Sequence, residues 1–501
     1  MSRRRRKTPP ETREPPRRRL PLLIGLVVVV VIAVGATVLW LNRQPAYTGP
    51  ARHVIVISLD TTRADYLGCY GHPWIKTPNL DKLAGESILL TDYLTAATTT
   101  LASHVSLLTG KYPHSHGVPR NGFMVSRDNV MLPELLHEVG FTTAGFIASF
   151  SLDQRFDFAQ GYDHWDQQYE IRVGDSGADQ NQRRADAVTD AVLSYLDQQG
   201  VPEHLFLFVH YFDPHLPYTP PAPYDREYLS RVPEVKLRPD VYPELSNPRT
   251  RRAAQLSVTQ HAGEISYMDE HLGRLLDELR RRGVLDDALL VLTSDHGENL
   301  GDAPGTLFDH GWTVYQTEAH CVGMIRLPKA AQAGTRCEAL VGSPDLLPTI
   351  TTYLGLTTPA GVDGEPLDLA HLPAADVVRP RFSEATKPWE EVETDPRWLN
   401  ARKACCVRSG PYKYIRTDYR NLVELYNLAA DPQERKNLLA GPQSEATATI
   451  AADLARLLDA WCAAAAPLPS SFEPGQMSET MARLRSLGYL GPEPEEDDGN
   501  K

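Results

Sequence analysis

The stretch Thr98-Thr99-Thr100-Leu101-Ala102-Ser103-His104-Val105-Ser106-Leu107-Leu108-Thr109-Gly110-Lys111-Tyr112-Pro113 governs how the rest of the chain is read. It has the form of a short helix opened by a threonine and closed by a glycine. Threonine is a favoured N-cap, and Gly110 stands where a left-handed, helix-ending residue belongs. A hydroxyl at a helix start, with orphan N–H groups behind it, is also a ready oxyanion site. Thr100 is therefore read both as the N-cap and as a candidate nucleophile. Ser103 and Ser106 are rival hydroxyls placed inside the helix.

Working outward, His53-Val54-Ile55-Val56-Ile57-Ser58-Leu59 is an apolar run ending in Asp60, and Ala288-Leu289-Leu290-Val291-Leu292-Thr293-Ser294 ends in Asp295-His296-Gly297-Glu298. A third run, Leu205-Phe206-Leu207-Phe208-Val209-His210, ends near Asp213-Pro214-His215. Unbroken β-runs of this kind suit strands buried on both faces of a parallel sheet. Their C-terminal ends are where open α/β sheets place their sites. Helical spacing appears at Thr77 to Ala84 and from Ile265 to Arg282, where Met268, Leu272, Leu275, Leu276 and Leu279 form a core stripe. Residues 219–250, rich in Pro, Arg and Tyr, read as a surface excursion, a lid or a substrate wall.

Residues 1–19 carry nine basic and two acidic residues, a net of +7 within a chain whose total is −13, so the remainder is −20. That charge argues against nucleic acid as a partner of the main body. Leu20 to Leu41 has no charge and is long enough to cross a bilayer. The positive-inside rule then puts the N-terminus in the cytoplasm and the catalytic body outside. The expectation is a single-pass cell-membrane anchor with an extracytoplasmic, in a Gram-negative cell periplasmic, enzyme. The six cysteines show no CxxC pair. A Cys321–Cys337 bridge and buried free thiols are both open. Oligomeric state is not legible.

The threonine stretch resembles the nucleophile segment of the sulfatase family, in the alkaline phosphatase superfamily, whose pattern is C/S-x-P-x-R, a short helix and T-G-R/K. Further landmarks are Asp60-Thr61-Thr62-Arg63-Ala64-Asp65-Tyr66-Leu67-Gly68-Cys69-Tyr70-Gly71, His210-Tyr211-Phe212-Asp213-Pro214-His215 and Ser294-Asp295-His296-Gly297-Glu298. Ser343-Pro344-Asp345-Leu346-Leu347-Pro348-Thr349, Tyr412-Lys413-Tyr414-Ile415 and Glu424-Leu425-Tyr426-Asn427-Leu428 follow in the family's order. The resemblance implies an α/β fold, an alkaline-phosphatase-like α/β/α sandwich with a mostly parallel central sheet, plus a small C-terminal antiparallel subdomain. With the N-terminal helix, the expected organisation is a basic cytoplasmic tail 1–19, a transmembrane helix 20–41, a linker 42–52, a catalytic domain 53–395, a C-terminal subdomain 396–465 and an extension 466–501 with an acidic, disordered tail.

This chain departs from the family where the chemistry is made. The cysteine or serine that becomes formylglycine is Thr100, the proline is Ala102 and the arginine is His104. Threonine's β-carbon carries a methyl group, so the same oxidation would give a ketone. What remains is a hydroxyl that a divalent metal can hold as an alkoxide. By resemblance, Asp60, Thr100, Asp295 and His296 bind one divalent cation. That donor set favours zinc or manganese over calcium or magnesium. The family's second aspartate is Thr61 here. Its sulfate-binding lysine and histidine are missing from Ile147-Ala148-Ser149-Phe150-Ser151.

Asn121 fits the asparagine that holds a phosphoryl oxygen in phosphodiesterase-like relatives, and Asn121-Gly122 is equally a tight turn. His215 and His310 match histidines that contact the transferred group or leaving oxygen. With Asp213 they protonate the leaving group, or hold a second zinc as in two-metal members. His104, one turn after Thr100, orients it or is a core histidine. Lys111, His114 and His116 follow the helix and are read as loop surface, with one of them facing the anion as the alternative. The leading expectation is a metal-dependent hydrolase of phosphate mono- or diesters with a threonine nucleophile. The alternatives are a sulfuric ester hydrolase working without formylglycine, a phosphoryl transferase on lipid or glycan, and an inactive binding protein.

Overall fold

The computed structural model describes residues 47–169, 182–374, 377–387, 403–464 and 483. The basic tail, the apolar run 20–41, the start of the linker and the acidic C-terminal tail lie outside the described residues. Among the described residues no helix is long and apolar enough to cross a membrane.

Three apolar runs form the middle of an eight-stranded sheet: β1 (His53–Leu59), β6 (Leu205–Tyr211) and β7 (Ala288–Ser294). The other strands are β2 (Ile88–Leu90), β4 (Thr142–Phe146), β5 (His164–Asp166), β8 (Gly323–Arg326) and β9 (Arg336–Cys337). A two-stranded pair joins β3 (Tyr93–Leu94) to β10 (Val341–Gly342). The order is β5-β4-β6-β1-β7-β8-β2-β9. β1 runs parallel to both neighbours, and only β8 runs against its partners. Every residue of β1, β6 and β7 is buried. This explains their unbroken apolar reading, since a strand covered on both faces has no solvent side to mark with polar residues. The register pairs Leu59 with Tyr211 on one side and Ser294 on the other. Asp60 and Asp295 therefore leave the sheet at the same level.

The helix of the opening stretch spans Thr100–Thr109 and is wholly buried. Gly110 ends it in the left-handed region, φ 69°, donating its N–H to Ser106 O at 2.9 Å. A Cβ there would fall 2.7 Å from Val362 Cγ1, a second reason for glycine. The start differs by one residue from the sequence reading. Thr99 is the extended N-cap, and Thr100 is the first helical residue. The downstream helix is also longer than the stripe suggested, running Pro248–Arg281, with Asn247 accepting from Arg249 N–H at 2.9 Å. Ahead of it, Tyr224–Glu227, Leu229–Glu234 and Pro243–Ser246 form short helical turns packed along it.

The antiparallel sheet is β11 (Arg381–Glu384), β12 (Ala404–Ser409), β13 (Tyr412–Thr417) and β14 (Leu422–Asn427), beginning ahead of residue 396. Its alternation is two-faced. Cys406, Ile415 and Tyr426 pack with Val314 and Tyr315, whereas Cys405, Val407, Tyr414 and Leu425 pack with Leu454 and Leu458 of the helix Glu445–Ala463. All six cysteines are free thiols, so Cys321 and Cys337 are not bridged.

Candidate active site

Asp60, Asp295 and His296, at the ends of β1 and β7, bring one ligand atom each within 4.8 Å of the others. Thr100 enters this group from the buried helix. Its Oγ1 donates to Asp60 Oδ2 at 3.3 Å and lies 3.5 Å from His296 Nε2. His296 Nδ1 is 3.0 Å from Gly297 O, and a carbonyl can only accept, so the neutral ring turns its Nε2 lone pair toward Thr100. That lone pair faces Asp295 Oδ2 at 3.3 Å. Two acceptors that close want a cation between them.

The carboxylates carry the same demand. Asp295 Oδ1 is used by the N–H groups of Thr61 and His296. Asp60 Oδ1 and Asp295 Oδ2 are buried without a hydrogen-bond partner. Burial pushes both carboxyls well above their ordinary range, Asp60 further through Glu298 and Asp295 further through Asp60. Two carboxylates, an imidazole and a hydroxyl, all buried, suit a divalent ion with nitrogen and oxygen ligands. Thr61 supports this corner from a left-handed conformation, φ 48°, which is uncommon for a β-branched residue.

The remaining candidates cluster around these four. Asn121 Oδ1 accepts from Leu101 N–H at 2.7 Å, satisfying an orphan donor of the first helical turn. Its Nδ2 is buried with no partner among the described residues. The side chain does more than shape a turn. His104 Nδ1–H donates to Thr100 O at 2.7 Å, and its Nε2 accepts from Ser58 Oγ at 2.8 Å. It therefore holds the backbone carbonyl of Thr100 rather than its hydroxyl. The His310 ring lies 4.3 Å from His296 and 5.3 Å from His215, between centroids. Burial lowers both His215 and His310 to about 3, His215 further through His310.

Asp213 Oδ1 accepts from Ala185 N–H at 3.0 Å. Among the described residues Asp60, Asp295 and His296 are the only such converging group. Asp213 also lines a cavity of about 270 Å³ beside His215, with Glu264 and Tyr267. His114 and His116 are buried, not loop surface; His114 lies 4.2 Å from Trp461 of the last helix, and His116 bonds Ser106 at 3.0 Å.

Three neighbours of the site were not singled out from sequence. His210 Nδ1 accepts from Ala148 N–H, so its Nε2–H donates to Asp60 Oδ2 at 3.2 Å. Glu298 lies 3.4 Å from His310 Nδ1. Lys387, from the segment after β11, donates to Asp309 Oδ1 at 2.7 Å, next to His310. The first two stood inside quoted motifs. For Lys387 the only local signal was a lysine after the apolar-polar run Phe382 to Thr386.

The sulfatase family model matches residues 52–356, and the model of the N-sulphoglucosamine sulphohydrolase C-terminal region matches 305–461. An ulvan-active sulfatase of Formosa agariphila is 26% identical over 427 residues, 78% of each chain. The multifunctional alkaline phosphatase superfamily protein PehA of Trinickia caryophylli is 25% identical over 506 residues, 82% of this chain and 95% of its own. The fold matches the phosphonate monoester hydrolase of Agrobacterium radiobacter with a TM-score of 0.66 at 22% identity, covering 82% and 95% of the two chains. With the family model matching residues 52–356, this chain belongs to the sulfatase family of the alkaline phosphatase superfamily, an ester hydrolase.

Proposed function

We propose that the chain hydrolyses phosphate or phosphonate esters with Thr100 as the nucleophile. The observation that carries this is the Thr100 hydroxyl, 3.3 Å from Asp60 and 3.5 Å from His296, on the rim of two partnerless carboxylate oxygens. Asp60, Thr100, Asp295 and His296 would hold one divalent ion, zinc or manganese, whose positive charge favours the ionised hydroxyl and offsets charge on the non-bridging oxygens. Thr100 Oγ passes its proton to Asp60 Oδ2, its hydrogen-bond acceptor, and forms the new bond to phosphorus as the ester oxygen leaves; the proton returns to Oγ when the ester is cleaved. Asn121 Nδ2 donates to a non-bridging oxygen. His215 and His310, neutral in the dry site, gain a counter-charge when an anionic ester enters, which favours the protonated ring that the leaving oxygen needs. Water then cleaves the Thr100 ester, with a neutral histidine accepting its proton.

The test is turnover by the full-length chain, with zinc or manganese, of aryl phosphonate, phosphate monoester, phosphate diester and sulfate ester. Thr100→Ala should be inactive. Equal activity in that variant removes the nucleophile assignment. A second reading, sulfate ester hydrolysis by the same threonine, is favoured by the sulfatases among its relatives. Sulfate turnover well above phosphate turnover selects it. We also propose that Leu20–Leu41 anchors the enzyme with residues 43–501 outside the cytoplasm. Release from membranes by deleting residues 1–42, but not by alkaline washing of the intact chain, is the expected result.

A further inference from the structure

We propose that Cys405 and Cys462 form a redox-active thiol pair that closes into a disulfide by exchange with a small-molecule or protein disulfide. Cys405 sits on β12 directly opposite Arg416 on β13. Arg416 reaches across to Cys462, placing Nη2 3.5 Å from its Sγ. The guanidinium is therefore shared by a strand thiol and a helix thiol within one apolar cluster that includes Leu454, Leu458 and Trp461. The neighbouring Cys405 holds Cys462 below its usual range, and Cys462 raises Cys405 well above its own. Arg416 adds to the lowering at Cys462.

The asymmetry assigns the roles. Cys462 is half-buried and accessible, whereas Cys405 is 4% exposed. The Cys462 thiolate attacks one sulfur of the incoming disulfide, forming a mixed disulfide and releasing one thiol. Cys405 then loses its proton and attacks the Cys462 sulfur, releasing the second thiol. Two protein thiols are oxidised, one external disulfide is reduced, and two protons pass to the released thiolates. The adjacent Cys406 takes no part, because strand alternation sends it to the opposite face, against Val314 and Tyr315. The bond would join the last described helix to the antiparallel sheet. Trp461 of that helix stacks on Phe382 with centroids 4.9 Å apart, so the bond holds the cover over β11.

The test is incubation of the full-length chain with glutathione disulfide, followed by denaturation, alkylation and non-reducing peptide mapping. Alkylatable thiols should fall from six to four, with one linked peptide joining residues 405 and 462. The link should persist in Cys406→Ala and vanish in Cys462→Ser. Oxidation should also raise Tm by about 2–4 °C through loss of unfolded-state freedom. The proposal is overturned if all six thiols remain alkylatable, if Cys462 ends only as a glutathione adduct, or if the link forms between other cysteines. The wild-type mapping decides these outcomes even where a variant folds poorly.

Discussion

Asn121 offers a way to separate holding the helix from acting on substrate. Its two amide atoms have different duties: Oδ1 accepts from Leu101 N–H at 2.7 Å, and Nδ2 has no partner among the described residues. Asn121→Ala removes both and strands a buried N–H, at about 1–3 kcal/mol. Unfolding entropy of roughly 2 cal/mol/K per residue turns that loss into a Tm decrease of about 1–3 °C for a chain of this size. Asn121→Asp keeps an acceptor for Leu101 and loses only the donor. A carboxylate at a helix start gains about 0.3–1 kcal/mol from the dipole, so Tm should fall less than in the alanine variant. Both variants lose a hydrogen bond to the charge-bearing oxygen, and kcat should drop by about 10²–10³. The assay pairs thermal melts with kcat on an aryl phosphonate or phosphate. If Asn121→Asp keeps wild-type kcat, Nδ2 donates nothing in the transition state. If activity falls only in proportion to folded protein, Asn121 is structural alone.

Other residues allow equally direct checks. Thr100→Ser keeps the attacking oxygen and should stay within about tenfold of wild type, whereas Thr100→Ala should lose about 10³ or more in kcat; similar losses in both would point to packing. His210→Phe keeps the ring volume but removes the donor to Asp60 Oδ2, and should weaken metal binding by about 10–100-fold in a chelator competition. Unchanged affinity would exclude that positioning role. Asp213, raised to about 7 by burial, is protonated in the fold well above the usual carboxylate pKa of 3.8. Its stabilising contribution is complete below pH 3.8 and is lost as pH rises through about 7. Asp213→Asn should therefore gain about 1–3 kcal/mol on wild type between pH 5 and pH 9, measured by urea unfolding. A gap that is constant with pH would contradict the shift.

What could be read from the chain follows from where each signal is local. β1, β6 and β7 were legible because burial on both faces leaves an unbroken apolar run, and Gly110 because a left-handed stop is a one-residue requirement. Asp60, Thr100, Asp295 and His296 came together as expected because each is a strand-end or helix-start residue with its own local mark. Thr100 as N-cap was off by one: three consecutive threonines offer three equivalent caps, and the choice is made by Asn121, twenty-one residues on from Thr100. His210 read as the tail of an apolar strand, and only pairing with β1 shows that its ring meets Asp60. Lys387 arrives from the antiparallel sheet, and nothing near it in sequence records that Gly311 O receives its backbone N–H at 2.7 Å. His114 followed a helix and looked solvated, because Trp461, which packs on it, lies far downstream.

Parallel pairing on both edges of β1 makes this scaffold modular. The two carboxylates are delivered by backbone register, which depends on strand pairing and hardly at all on what stands at position 100. The Thr100 hydroxyl comes on a separate helix, seated by Asn121 at one end, by His104 within, and by Gly110 at the other. Reactive group and chassis can thus be exchanged independently. A lineage could change the residue at position 100 by single substitutions without passing through an unfolded intermediate sequence, and a laboratory could do the same with Ser or Cys there.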